Sequence, residues 1–172
     1  MSNKSLNEAD PVSFGAKLAG SQAFSLLFSE GMSLVEETAG YLDGPGRRES
    51  KMLPRNAALA YATESMRLTT RLMQLASWLL LHRAVNEGEM SLAQANKEKT
   101  KVKLSTADRT DADAVQLLPE RLRELIDRAL QLQDRVRRLD SAIHAGAAAE
   151  GNGNPVEEQV NLLKAVFERT RA

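Results

Sequence analysis

TTRLMQLASWLLLHR, residues 69–83, is a long apolar stretch that decides the fold class of this chain. Between Arg71 and His82 only Gln74 and Ser77 are polar. A membrane-spanning helix needs about 20 predominantly apolar residues, and this stretch offers roughly half that length. It therefore predicts a helix buried in the core of a bundle rather than a membrane anchor.

The apolar stretch belongs to a long predicted helix that starts after Pro54 and runs to about Glu87. Two adjacent apolar stripes on one helix need two neighbours, so this is the central helix of a bundle. The first stripe comprises Leu59, Ala62, Met66, Thr69, Met73, Ala76 and Leu80. The second stripe is Tyr61, Ser65, Leu68, Leu72, Leu75 and Leu79.

The outer face of this helix changes character along its length. It begins polar, with Glu64, Arg67, Arg71 and Gln74, and becomes apolar at Trp78, Leu81 and Val85. An end that is apolar all round must be covered. We predict that Trp78, Leu81 and Val85 lie near or under an interface with a second copy; the alternative cover is the chain's own connection, residues 88–117.

Two further long helices complete the predicted core. The first runs from about Ser21 to Leu42 and is ended by the DGPG turn, residues 43–46. Ser91 and Gln94 form a capping box that opens a shorter helix. Pro119 starts the last long helix, whose seam is Leu118, Leu122, Leu125, Ala129, Leu132, Val136, Leu139 and Ile143.

The predicted fold is all-α: a three-helix antiparallel bundle, running up, down and up, with a short extra helix and a flexible C-terminal tail. Its predicted parts are a flexible lead (1–20), the bundle domain (21–144), and a linker with a mobile amphipathic tail (145–172). Val160, Leu163 and Phe167 share one side of that tail and are candidates for engaging a partner.

Composition limits the classes of function. The chain has 23 basic and 23 acidic residues and no cysteine, which excludes disulfides and thiolate chemistry. No apolar run follows the early lysine as a secretory signal would, so we expect a cytoplasmic protein. The turn after the first helix is locally basic, with Arg47, Arg48, Lys51 and Arg55. Arg47 and Arg48 of this turn, and Arg67 and Arg71 of the long helix, are candidates for docking a partner; the alternative is ordinary solvated surface.

We predict no catalytic, cofactor-binding or metal-binding residue. Neither His82 nor His144 has a glutamate three residues before it, as di-iron bundles require. A phosphotransfer role for His82 remains an alternative, although no lysine and glycine follow it as expected. A nucleic-acid binder is a weaker alternative, because no aromatic residue accompanies the basic clusters.

Three motifs carry a resemblance to a known family. YLDGPGR (Tyr41 to Arg47), AYATESMRLTTRLMQ (Ala60 to Gln74) and ASWLL (Ala76 to Leu80) resemble the RcdA family, the regulators of CtrA degradation of alphaproteobacteria. The similarity is strong from Glu30 to Met90, follows only the hydrophobic pattern in the third long helix, and nearly vanishes in the tail.

This resemblance implies a homodimeric three-helix bundle with a disordered tail, and a non-enzymatic role. It implies an adaptor that, with co-adaptors at the cell pole, helps to deliver CtrA-like regulators to the ClpXP protease during cell-cycle control. A helical scaffold or oligomerisation module with no link to proteolysis remains the alternative. The resemblance assigns no contact residues, so the candidates above rest on physical reasoning alone.

Overall fold

The computed structural model describes residues 21–101 and 111–151. The predicted lead, and the tail with Val160, Leu163 and Phe167, lie outside these residues. The described chain forms six α-helices: α1 (Gln22–Asp43), α2 (Pro45–Lys51), α3 (Arg55–Asn86), α4 (Leu92–Lys101), α5 (Ala112–Gln116) and α6 (Glu120–Gly151).

The three long helices, α1, α3 and α6, form the predicted all-α bundle. Helix α1 is antiparallel to α3, because Phe24 packs near Trp78 while Val35 and Met73 line one groove farther along. Helix α1 is antiparallel to α6 as well, since Glu30 pairs with Arg135 and Glu37 pairs with Arg128.

The third long helix therefore runs parallel to α3, and the predicted up-down-up order is wrong on this point. Up-down-up requires a short connection that starts the last helix where the central helix ends. The segment between Asn86 and Glu120 is much longer, and it contains α4 and α5. It carries the chain back along the bundle before α6 begins.

Two short helices and one extension were also not predicted. Helix α2 forms where we expected only a turn, because Pro45 occupies its first position and presets the helical backbone angle. Helix α5 lies in the predicted polar connection, with the Asp111 side chain accepting a hydrogen bond from the backbone N–H of Asp113. Helix α6 continues through the alanine-rich residues after His144, which favour helix strongly.

The predicted seam of the last long helix is confirmed. All of its residues are buried except Leu139, which is half-buried. It packs against the second stripe of α3, where Leu68, Leu72, Leu75 and Leu79 are also buried. The capping box of α4 is confirmed too: the Gln94 N–H donates to the Ser91 hydroxyl, and the Ser91 N–H donates to the Gln94 carbonyl oxygen.

The apolar end of α3 is covered by the chain itself. Trp78 is 2% exposed, and its ring nitrogen donates a 2.8 Å hydrogen bond to Asp140 of α6. Lys99 of α4 forms an ion pair with the other oxygen of the same carboxylate. Leu81 and Val85 are half-buried. Trp78 therefore needs no second copy for its cover, which removes the reason for placing a dimer interface there.

His82 lies beneath this cover. It is 1% exposed and packs with its ring centroid 4.1 Å from that of Trp78. Burial, with smaller contributions from Lys99 and His144, outweighs the attraction of Asp140 and lowers the pKa of His82 to about 4. A phosphodonor has no access to this side chain in the folded bundle, which weakens the phosphotransfer alternative.

The buried imidazole predicts a loss of stability in mild acid. The folded-state pKa of about 4 lies below the ordinary 6.5, so the unfolded chain binds more protons between these values. The His82 contribution is complete above pH 6.5 and is lost as the pH falls toward 4, a loss of roughly 3 kcal/mol in the free energy of unfolding. Urea unfolding at pH 7.5, 6.0 and 4.5 measures it.

The matched variants are His82→Gln, which removes this titration, and His144→Gln on the bundle surface, which leaves it. We expect the pH dependence of His82→Gln to be shallower than that of the wild type and of His144→Gln. Equal pH dependence in all three proteins would contradict the burial of a neutral His82.

Gly31 sets the spacing of the three long helices and gives a second prediction. A β-carbon there would lie 2.5 Å from Leu79 Cδ1 and 3.6 Å from Leu132 Cδ2, and Leu79 is fully buried. We expect Gly31→Ala to lower the free energy of unfolding by about 1–2 kcal/mol, because overpacking outweighs the gain in helix propensity.

Gly40 is the matched control for this substitution in the same helix. A β-carbon at Gly40 meets nothing within 4 Å, so Gly40→Ala should raise the free energy of unfolding by about 0.5–1 kcal/mol. Thermal and urea unfolding measure the free energy of unfolding of both variants. Equal stabilisation by both substitutions would contradict the close packing at Gly31.

Candidate functional site

The first apolar stripe of α3, from Leu59 to Leu80, is called the α3 seam here, and its long side chains are exposed in the described chain. We predicted it to be buried, but Leu59, Met66, Met73 and Leu80 are 70%, 73%, 66% and 53% exposed. Helix α3 lies between α1 and α6 through its second stripe, and neither helix covers the seam. The prediction was wrong because periodicity only locates apolar positions on a helix. It does not say whether a second apolar stripe is buried by the same chain.

The face of α3 predicted to be outermost is instead buried. Glu64 and Arg71 are 2% and 4% exposed, and Arg67 is half-buried. Arg67 Nη1 donates to Glu64 Oε1 at 2.7 Å, so the buried carboxylate has a charged partner. Helices α4 and α5 both contact α3. Arg71 therefore offers a partner almost no surface in this fold.

A groove lies beside the exposed seam, between α1 and α3. Its volume is about 280 Å³, and most of its lining is apolar. Met73 and Ala76 belong to both the seam and the groove, so the two features form one continuous surface. The lining residues are Val35, Thr38, Ala39, Leu42, Asp43, Thr69, Leu72, Met73 and Ala76.

A second surface lies at the α2 end of the bundle. We call Arg47, Arg48, Lys51 and Arg55 the basic corner; all four are exposed. Beside them Met52 is 88% exposed, the largest value among the exposed large hydrophobic residues of the described chain. The predicted docking candidates Arg47 and Arg48 thus lie on accessible surface, and an acidic segment with an apolar side chain would complement this corner.

Tyrosine contacts hold the basic corner in place. The Tyr41 hydroxyl donates a 2.7 Å hydrogen bond to Glu49 of α2. Burial, followed by that carboxylate, raises the pKa of Tyr41 well above 10, so it remains a donor. Gly46 lies so close that a β-carbon would meet the Tyr61 hydroxyl at 2.7 Å and the Tyr41 ring at 2.8 Å. Helix α2 is therefore fixed on the bundle.

Among residues 21–101 and 111–151, no group of three or more His, Asp or Glu side chains is placed to hold a metal ion. Within the same ranges, none of the helices is long and apolar enough to span a membrane. The described chain exposes two distinct surfaces: the apolar seam with its groove, and the basic corner.

One signal in the sequence could have revealed the exposed seam. The residues flanking it on one side are Thr63, Thr70 and Ser77, and none of them is charged. A solvated helix face normally carries charged residues, whereas a face that packs against another molecule need not. Periodicity located the apolar positions; the flanking hydroxyl residues indicate a contact surface.

Comparisons with known proteins agree with the resemblance in the sequence motifs. The family described as "Protein of unknown function (DUF1465)" matches residues 15–167. The crystal structure of RcdA from Caulobacter crescentus CB15 is 52% identical to this chain, with 74% of this chain and 96% of that chain covered and a TM-score of 0.61. No curated protein matches. The chain belongs to the RcdA family.

Proposed function

We propose that this protein is a non-enzymatic adaptor of regulated proteolysis. In this role it binds CtrA-like response regulators, co-adaptors and the unfoldase of ClpXP, and it brings substrate and protease together. The family relationship, at 52% identity to RcdA, supports the role in CtrA degradation. The observation that carries the adaptor mechanism is the pair of contact surfaces on one rigid bundle.

Tethering explains how such a bundle acts without making or breaking a bond. A substrate held near the unfoldase gains effective concentration, which raises its capture rate above that of free encounter. The gain depends on simultaneous binding of two partners, so an adaptor needs two separate surfaces. The basic corner is charged and the α3 seam is apolar, so the two surfaces suit partners of different chemistry.

We assign the two surfaces to different partners. The basic corner docks an acidic segment of a partner protein through Arg47 and Arg48, with Arg67 on the adjoining half-buried face. The α3 seam joins two copies of the chain in a homodimer. The role belongs to the cytoplasm at the cell pole, with no nucleic acid and no cofactor involved.

The assignment of the basic corner predicts a specific loss of activity. In a reconstituted degradation reaction with ClpXP, a CtrA-like substrate and all co-adaptors, wild-type protein should accelerate substrate loss. Arg47→Glu/Arg48→Glu should reduce this acceleration about fivefold, because two favourable surface charge contacts of a few tenths of a kcal/mol each become repulsive. Fluorescence or gel assays of the remaining substrate measure the rate.

The control is Lys97→Glu/Arg138→Glu on α4 and α6, which changes net charge equally and alters exposed residues away from α2. It should keep most of the acceleration. Equal loss in both double variants would contradict docking at the basic corner. No acceleration by the wild type, with every co-adaptor present, would contradict the adaptor role and leave a scaffold without a proteolytic link.

The tail predicts a second effect in the same reaction. Val160, Leu163 and Phe167 recur at intervals of three and four residues, the spacing of one helix face. If this face engages a partner, replacing all three residues with Ser should weaken the acceleration, because a helix-in-groove contact relies on such anchors. Replacing Glu157, Glu158 and Glu168 with Gln is the control, and acceleration unchanged by the Ser variant would exclude tail engagement.

A further inference from the structure

Helix α4 is held on the bundle by little apolar surface. From Leu92 to Lys99 one face turns inward, and its residues are Leu92, Ala95, Asn96 and Lys99. Ala95 is 2% exposed, while the other three residues are half-buried. Burial of apolar area is the main favourable contribution to packing, and a half-buried leucine with one alanine supplies little of it. The contact of α4 with the bundle is therefore weak beside the leucine contacts of the three long helices.

Polar atoms at this contact are buried without partners. Asn96 Oδ1 of α4 and His82 Nδ1 of α3 are both shielded from water, and among the described residues neither atom has a hydrogen-bond partner. Lys99 of α4 is among the charges that act on His82, which places the imidazole close to α4. A buried polar atom without a partner costs free energy, and this cost is relieved when water reaches the atom. Separation of α4 from α3 would therefore relieve both atoms.

A partly buried ion pair fastens α4 to α6. The Lys99 ammonium bonds to one oxygen of Asp140, and the Trp78 ring nitrogen donates to the other oxygen at 2.8 Å. Trp78 in turn lies against His82, with 4.1 Å between the ring centroids. Because Trp78 and Asp140 belong to two of the long helices, their hydrogen bond does not depend on α4. Breaking the Lys99 contact therefore releases this end of α4 and leaves the rest of the polar group in place.

The turn just before α4 is suited to a hinge. Gly88 has a φ of 75°, the one positive φ among the described residues, and a β-carbon there would meet nothing within 4 Å. Backbone hydrogen bonds extend from α3 as far as the N–H of Glu89, which donates to the Ala84 carbonyl oxygen. The capping box of Ser91 and Gln94 then satisfies the start of α4 from within its own turn. A glycine in open space thus joins two helices with separate hydrogen bonds, so α4 can move relative to α3 without breaking either helix.

We propose that α4 is a lid, which swings about Gly88 while α1, α3 and α6 stay folded, and which uncovers Trp78, His82 and Asp140 when it opens. In the closed state these three side chains are withheld from other molecules. In the open state they form a surface of two rings beside a carboxylate, which suits a cationic side chain of a partner in the place of Lys99. The lid follows from the packing of a single chain and does not rest on the adaptor role.

Proton binding by His82 couples the lid to pH. The charged groups that act on the ring are Asp140 and His144 of α6 and Lys99 of α4, and burial lowers its pKa to about 4. When the lid opens, water reaches the ring and its pKa returns toward 6.5, so the open state binds more protons between these two values. Opening is therefore rarest above pH 6.5 and increases as the pH falls toward 4. From pH 7.5 to pH 5.0 we expect about 25-fold more opening.

The absence of cysteine makes local opening directly measurable. Ala95→Cys reports on the lid and Ala129→Cys on the core of α6, because both alanines are buried. A dithiodipyridine reagent labels each full-length variant in native buffer, and each rate is divided by that of the urea-unfolded chain at the same pH. Ala95→Cys should react about 100-fold faster than Ala129→Cys, with a weaker dependence on urea. Equal rates with equal urea dependence would overturn the lid, since α4 would then open only when the whole bundle unfolds.

The ion pair and the pH coupling have their own variants. In the Ala95→Cys protein, Lys99→Met should raise the labelling rate about tenfold, whereas Arg135→Met, which removes an exposed pair with Glu30, should leave it unchanged. Lowering the pH should raise the labelling rate, and His82→Gln should abolish that rise. Labelling unchanged by Lys99→Met would overturn the ion pair as the fastening, and a pH response kept in His82→Gln would overturn the uncovering of His82.

Hydrogen exchange of the wild-type protein tests the lid without any substitution. Backbone amides from Ala95 to Lys99 should exchange about 100-fold faster than those from Leu72 to Leu79, because only the first set is exposed by opening of α4. Equal protection of the two segments would overturn the lid, even if a cysteine variant failed to fold. The degradation reaction tests the adaptor role separately, so the failure of either proposal is visible by itself.

Discussion

The fold depends on one ridge of leucines on α3 fitting between α1 and α6. Leu72, Leu75 and Leu79 are buried in that contact, and Gly31 allows α1 to approach both Leu79 of α3 and Leu132 of α6 closely. Interiors pack at near-crystalline density, so a ridge in this position fixes the rotation of α3 about its own axis. Once the rotation is fixed, it also fixes which of the other faces of α3 are buried and which are exposed.

The fixed rotation of α3 explains why polar residues on this helix are buried while its methionines are exposed. With the leucine ridge inward, Glu64, Arg71 and His82 are buried as well, and Met66 and Met73 face outward. The cost of burying charge is reduced because Glu64 pairs with Arg67 and because Asp140 accepts from both Trp78 and Lys99. Helix α4 is thereby tied to the bundle through Asp140.

The same arrangement separates the surfaces that an adaptor needs. Tyr41 and Gly46 fix α2 at one end, where Arg47 and Arg48 remain exposed, while the seam runs along the outside of α3. Under the proposed function, effective concentration rises only when two partners bind the same molecule at the same time, so each partner needs its own surface.

The sequence alone was enough to predict the three long helices and α4, the leucine ridge, the seam of α6, the capping box at Ser91 and the family. These follow from local periodicity and local hydrogen bonding, or from continuous motifs, none of which depends on distant contacts. The tertiary structure was needed to show that α6 runs parallel to α3, that Trp78 is covered by its own chain, and that the α3 seam faces outward. Apolar spacing shows that a helix face must be covered. It does not show which residues cover that face, because this depends on contacts between residues that are distant in the sequence.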